Sequence, residues 1–446
     1  MPAIRRFRYF AAGAAATAAA LALAACSSSS SPPSSGSTSS QPVTITFWTW
    51  LDTGQTQKLA DQFTQSHPNI KVKVVNAGSS AAEYTKLDTA LKAGKGGPDI
   101  AQIEYFALPQ YVLSKEVANL DAYGAESLKS AYSASAWTGV AINGGVYGYP
   151  QDTGPMAMFY RTDLFKQAGI ASPPATWAQF ATDAATLHQK LPKTYIANMD
   201  PGDPGTATSL MWQAGATPFQ TSGTSDVALN LSQSGVQQWA TLWSGLLKNH
   251  LVATDAGWTT SWWAGMSAGK YATWITGAWA PAPLASNAAS SAGKWAVAPM
   301  PQWTVGANVT ANNGGSSDAV MIDSPYKAQA AEFGAWLNSS TAGATALNTM
   351  GLFPATNALL NSSSFLTAKV PMIGSQQGNK VLAASAAAVA SGWQYLPFQV
   401  YANSVYADTV GQNITGATSL TSGLSAWQQR IASYGQAQGF TINTGS

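Results

Sequence analysis

Residues 43–50 (VTITFWTW) are almost all β-branched or aromatic, the composition of a strand buried in a sheet. Leu59 and Phe63 stand four apart, one helical turn, on a segment that closes near His67 and Pro68. Ile70, Val72 and Val74 then alternate with Lys71 and Lys73, which predicts a second strand. Tyr84, Leu87 and Leu91 return to helical spacing, and Gly94, Gly96 and Gly97 end that helix. Residues 99–103 (DIAQI) predict a short third strand. Strand–helix–strand–helix–strand with short connections argues for a mostly parallel α/β sheet.

The pattern pauses at 146–160, where 156–160 predicts another apolar strand. Thr176 with Gln179 forms a capping box that opens a helix running through Leu191. Trp239, Trp243, Leu246 and Leu247 share one side of a later helix. Residues 271–276 predict a strand that runs into Gly277, Ala278 and Trp279. Phe333, Trp336 and Leu337 mark a helix after Tyr326, and Trp427 and Ile431 mark the last one. No period of about 20–50 residues repeats, which excludes a solenoid.

Composition narrows the function classes. At 446 residues the chain has room for two or three domains. Charged residues are only 9%, against roughly 25% in an average soluble protein. The 17 Trp, 16 Tyr and 14 Phe exclude a disordered chain. Of 22 Lys and Arg, three (Arg5, Arg6, Arg8) stand at the N-terminus; without them 19 basic residues face 20 acidic ones, a net of −1. No basic run is available to neutralise phosphates, which argues against nucleic-acid binding. One Cys excludes a disulfide scaffold and Cys-rich metal sites. His67, His188 and His250 are too scattered for a zinc hydrolase, and nothing calls for a metal or cofactor.

The N-terminus reads as an address. Arg5, Arg6 and Arg8 precede an apolar run, Ala11 to Ala25, shorter than the about 20 residues a membrane span needs. Leu23-Ala24-Ala25-Cys26 resembles the lipobox of bacterial lipoproteins, which implies cleavage after residue 25 and a lipid on Cys26. The alternative is an ordinary signal peptide with an incidental Cys. Residues 27–40, rich in Ser, Pro, Gly and Thr, read as a flexible linker.

Further motifs carry a family resemblance over about residues 43–435. ITFWTW (45–50), FTQSHPNIKVKVV (63–75), GGPDIAQIEYFALPQYV (96–112) and YGYPQDTGPMAMFYRTDLFKQAGI (147–170) occur in sequence. PPATWAQF (173–180), GMSAGKYATWITGAWAPAPL (265–284), VAPMP (297–301), NNGGSSDAVMI (312–322) and MGLFPA (350–355) follow. In that order they resemble extracellular solute-binding protein family 1, the sugar-binding lipoproteins of ATP-driven (ABC) importers. The resemblance implies an α/β, two-lobe, periplasmic-binding-protein-like (type II) fold with a ligand cleft between discontinuous lobes. It places residues 43–153 with 314–356 in an N-terminal lobe and 154–313 with 357–446 in a C-terminal lobe. Crossings are expected near 152–158, 309–316 and 354–368. Two departures stand out: Arg161 replaces the family's usual Asn, and Asn313 stands where close relatives often carry an aromatic. The implied function is capture of a neutral mono- or oligosaccharide by lobe closure and delivery to permease transmembrane subunits. The implied protein is a non-enzymatic monomer, lipid-anchored on the outer face of a bacterial cytoplasmic membrane.

Sugars dictate the candidate residues. A pyranose has an apolar C–H face suited to a flat aromatic ring, and a rim of hydroxyls suited to Asp, Glu, Asn and Gln. Trp279 follows a strand and a glycine, and ligands of open α/β sheets bind beyond the carboxyl ends of strands. The same logic selects Trp50 after the first strand, and Glu104 and Tyr105 after the third. Trp48 and Asp99 read as structural. Asp152 and Thr153 lie at the first expected crossing, and Gly315 and Ser316 at the second. Trp258, Trp393 and Asp200, all in loops, complete the set. A competing reading is a surface glycosidase using Glu104 and Asp152 as its carboxylate pair. A third, metal or iron capture, lacks the paired tyrosines such carriers tend to use.

Overall fold

A computed structural model describes residues 42–445. The leader, Cys26 and most of the linker lie outside the described residues.

The first sheet has the strand order Ile70–Val75, Val43–Trp48, Ile100–Glu104, Ser316–Val320, Tyr149–Pro150. The first three run parallel, as the alternating pattern predicts. Ser316–Val320 enters antiparallel to Ile100–Glu104, with Ser316 opposite Glu104. The parallel expectation therefore holds for only part of the sheet, because a strand arriving from 200 residues downstream needs no helical crossover. The first strand ends at Trp48. Thr49 turns its hydroxyl to Gln102 (2.6 Å), Leu51 donates its N–H to that same hydroxyl, and Asp52 caps the helix Thr53–Ser66. Phe47, Phe63 and Phe333 meet edge to face over this sheet. Their core takes residues from 45–149 and from 319–355. Asp99 is structural: its carboxylate accepts from Thr46 N and Ser324 Oγ.

The second sheet is wholly antiparallel, with Met156–Arg161 between Thr273–Gly277 and Trp295–Ala298. Its central strand is buried on both faces. Met156 and Met158 face one core, with Trp177, Trp239 and Trp427. Ala157 and Phe159 face another, with Trp262, Trp263 and Trp295. Thr176 caps the helix Trp177–Lys190 by accepting from Gln179 N, and Gln179 reaches back to Ala175 N. Arg161 is buried, held by a two-pronged pair with Asp163 and by the Met266 carbonyl. A third sheet joins Phe219–Ser222, Asp226–Leu229 and Thr441–Thr444. Between the two main sheets the chain runs extended: Pro155 pairs with Asn312, and Asp152 with Pro354.

Glu83, in the first turn of the helix Ala81–Ala93, is fully buried with neither carboxylate oxygen hydrogen-bonded. Burial, aided by the charges of Asp318 and Glu104, pushes its pKa up to about 8. Between about pH 4.5 and 8 the folded chain holds a proton that the unfolded chain releases, so stability falls as pH rises. Glu83→Gln removes that dependence. The melting temperature of the variant should exceed that of the native protein at pH 8 and converge with it near pH 4. Parallel curves across that range would show that Glu83 titrates normally.

Candidate functional site

A cavity of about 1020 Å³ opens where the two main sheets end. Its walls are built by the strand ends of both and its floor by the extended segments that connect them.

On one side, Glu104 closes the strand Ile100–Glu104. The Tyr84 hydroxyl donates to Glu104 Oε2 (3.0 Å) and accepts from its backbone N–H (2.9 Å). Burial raises the Glu104 pKa to about 6, while the hydrogen bonds of Ser80 and Tyr84 oppose the rise. Gln102, a polar residue inside the apolar strand, ties three parts of the site together. Its Oε1 accepts from Thr49 Oγ1 and from Trp50 N, and its Nε2 donates to Ser316 Oγ (3.0 Å). Trp50 is thereby positioned by a residue 52 positions away.

On the floor, Asp152 Oδ1 accepts from Ser316 N (2.8 Å) and Ser316 Oγ (2.6 Å). Burial pushes Asp152 up to about 6, against the pull of those two bonds. The network continues inward: Gln151 Nε2 donates to Asp318 (3.2 Å), which also accepts from Asn338 Nδ2 (2.8 Å). Gly314 and Gly315 have φ of 79° and 101°, left-handed values that only glycine adopts without strain. A Cβ on Gly315 would also lie 2.6 Å from the Tyr105 ring.

On the other side stands a cluster of indoles. Trp279 donates Nε1–H to the Asn313 carbonyl (2.8 Å). Its ring lies 5.8 Å from Trp258 and 5.7 Å from Trp274. Trp258 is 57% exposed and holds a φ of 62°. A bulky side chain rarely adopts that conformation, and such strain persists where surrounding structure enforces it. The enforcement comes from Asp200, which accepts from Gly257 N and Gly202 N, both at 2.8 Å. Asp203 caps the helix Pro204–Gln213 through Thr206. Asn313 is engaged within this wall, its Nδ2 donating to Thr206 and Thr276.

Of the residues proposed from sequence, Trp50, Glu104, Asp152, Asp200, Trp258, Trp279, Gly315 and Ser316 line this cavity. Tyr105, Thr153 and Trp393 do not. Tyr105, in the turn that follows the strand, lies on the opposite side, where its hydroxyl donates to the Asp152 carbonyl (2.8 Å). Thr153 is fully buried, its N–H spent on the Phe353 carbonyl. Trp393 is stacked on Trp212, with 5.2 Å between ring centroids. Sequence reasoning passed over Gln102, Tyr84 and Trp274, which also line the cavity. The signal for Gln102 was present, a polar residue flanked on both sides by apolar ones inside a strand. Among the described residues the cavity wall carries four carboxyl groups, Glu104, Asp152, Asp200 and Asp203, and no Lys, Arg or His.

A sequence profile of bacterial extracellular solute-binding proteins matches residues 50–344. The chain is 36% identical to an ABC-transporter-associated binding protein from B. animalis subsp. lactis Bl-04, solved with β-1,6-galactobiose. That match covers 90% of this chain and all of the other, with a TM-score of 0.80. The galacto-N-biose/lacto-N-biose I-binding protein of Bifidobacterium longum shares the fold, with a TM-score of 0.81 at 24% identity over 91% of this chain and all of the other. The lactose-binding protein of Rhizobium radiobacter is 27% identical over 65% of this chain and 69% of its own.

Proposed function

This chain belongs to the bacterial extracellular solute-binding proteins, and from that premise we propose that it captures a neutral mono- or oligosaccharide and passes it to an ABC permease. The observation that carries the reading is the pairing, across one cleft, of an indole wall with hydrogen-bonded carboxyl and amide groups. Trp258, Trp274 and Trp279 supply apolar surface for a sugar face. Asp152 Oδ2 is a carboxylate oxygen not committed to a protein partner in the bonds above, and it can accept from a sugar hydroxyl. The 36%-identical relative holds a disaccharide, β-1,6-galactobiose, and the cavity volume suits a ligand of that size. The lobes would close on it by bending at the extended segments near Asp152, Asn313 and Pro354; hinge closure of periplasmic binding proteins is a known example of such motion.

The family and its structural neighbours are binding proteins rather than enzymes. A glycosidase needs two carboxyl groups whose pKa values are driven apart, one acid and one base. Here burial drives Glu104 and Asp152 the same way, both to about 6. The reading extends to an unmodified sugar delivered by a protein tethered through a lipid on Cys26, acting as a monomer outside the cell. Among the described residues no helix is long and apolar enough to cross a membrane.

A thermal-shift panel of monosaccharides, disaccharides, short oligosaccharides and glycerol 3-phosphate tests this. Neutral sugars at 100 times their Kd should add about 2.7 kcal/mol and raise the melting temperature. Glycerol 3-phosphate should not shift it, because the cavity offers four carboxyl groups and no cation to a phosphate. A shift from glycerol 3-phosphate alone, or sugar turned over to product, would refute the assignment.

A further inference from the structure

The cleft carries an uncompensated negative charge. Glu104, Asp152, Asp200 and Asp203 line it, and among the described residues its wall holds no Lys, Arg or His. The hydrogen-bond partners of these carboxyl groups are neutral. Tyr84 donates to Glu104, Ser316 to Asp152, the N–H groups of Gly202 and Gly257 to Asp200, and Thr206 to Asp203. The ion pairs among the described residues use other acids: Glu126, Asp163, Asp255, Glu332 and Asp408. Behind the wall, Glu83 and Asp318 are fully buried as well. Asp152 repels the charge of Glu104 and of Asp318, and Glu104 and Asp318 repel that of Glu83, where Lys86 offsets part of the effect.

One of these carboxylates is aimed at a ligand. Asp152 is 9% exposed. Its Oδ1 takes both bonds from Ser316, while Oδ2 has no protein partner and keeps open surface in the cavity. With pKa values of about 6, Asp152 and Glu104 are largely ionised at pH 7. A neutral sugar enclosed against them removes water from like charges and returns only hydroxyl donors. Buried charges need an opposing charge as well as hydrogen bonds, or they take up a proton. An ammonium group supplies the charge and the N–H donors together, and a charge-assisted bond is roughly twice as strong as a neutral one. The indole faces of Trp258 and Trp279 add to the same preference, because an aromatic face attracts a cation.

Resting on the sugar-capture reading, we propose that the preferred ligand of the cleft is an amino sugar, a mono- or disaccharide with a protonated amine in place of a hydroxyl. The ammonium sits at Asp152 Oδ2, and the ring keeps the aromatic contacts already described. Neutral sugars of the same shape bind the same cleft, more weakly. The negative field at the opening also speeds the capture of a cation and slows that of an anion.

Two matched series, titrated into the native protein by calorimetry at pH 7, test this. The first is lactose, lactosamine with its amine free, and N-acetyllactosamine; the second is cellobiose, chitobiose with its amines free, and diacetylchitobiose. In at least one series the amine should bind roughly tenfold tighter than the hydroxyl and N-acetyl forms. At pH 5 Glu104 and Asp152 hold protons while the amine stays charged, so the preference should shrink several-fold. Salt at about 0.5 M should shrink it too. Ethanolamine, an amine without the ring, should not bind measurably. Asp152→Asn keeps an acceptor for Ser316 and should lower the amine-to-hydroxyl affinity ratio; the pH and salt readings on the native protein decide the matter if that variant does not fold. Hydroxyl or N-acetyl forms that bind as tightly as the amines in both series would overturn the inference and leave the sugar reading intact. Ethanolamine matching the amino sugars, or no binding by any member of either series, would overturn both.

Discussion

Replacing Trp279 by alanine is expected to weaken sugar binding by about 1–3 kcal/mol, roughly 5- to 150-fold in Kd, with the fold retained. The ring is half-buried at the cavity wall, packed on Trp258 and Trp274. Truncation therefore removes a flat apolar platform and also frees Trp258 to leave its strained conformation. It further strips the Asn313 carbonyl of the indole N–H that caps it at 2.8 Å. Trp279→Phe separates the two effects, since it keeps an aromatic face and loses only the hydrogen bond. Calorimetry with the best ligand from the melting panel reads both variants. An unchanged Kd for the alanine variant would remove Trp279 from the site.

A large effect on folding is expected at Gly154. A methyl group there would fall on the Asn313 carbonyl oxygen and lie 2.8 Å from the carbonyl carbon. Both are backbone atoms, which no rotamer change can move aside. The Asn313 N–H also donates to the Gly154 carbonyl (2.7 Å), so the two connecting segments are clamped face to face. Gly154→Ala should force them apart and destabilise the chain by about 1–3 kcal/mol or more. It should also weaken sugar binding, because Asn313 is the anchor of Trp279. Gly245→Ala is the control. That glycine sits inside the helix Ser234–Lys248 with open space at its Cβ, and alanine there should stabilise by about 0.5–1 kcal/mol. Denaturant titration measures both; equal stability of the two variants would refute the clamp.

Much of this was legible in the sequence because it is local. Alternation in IKVKVV and the spacing of Leu59 and Phe63 follow from the geometry of one strand and one helix. The capping box at Thr176 is satisfied within four residues. The carboxyl end of a strand is a reliable place to look for a site, which is how Glu104 and Trp279 emerged. What escaped depends on distant partners. Whether residue 104 or 105 faces the cleft is fixed by the register with Ser316, more than 200 residues on. Trp393 resembles any loop tryptophan until Trp212 stacks on it from 181 positions away. The antiparallel second sheet was hidden for the same reason, since its central strand Met156–Arg161 stands more than 100 residues before either of its partners.

The cluster of Trp258, Trp262, Trp263, Trp274 and Trp279, with neighbouring centroids 4.5–6.1 Å apart, has an optical consequence. Indoles this close exchange excitation faster than they emit, so light absorbed by any of them reports on the one of lowest energy. Trp258, the most solvent-exposed of the five, is the natural terminus of that transfer. A sugar settling on its face displaces water from the chromophore through which the whole cluster fluoresces. The protein thus carries its own reporter, and a blue shift of its ultraviolet emission reads ligand occupancy without a label.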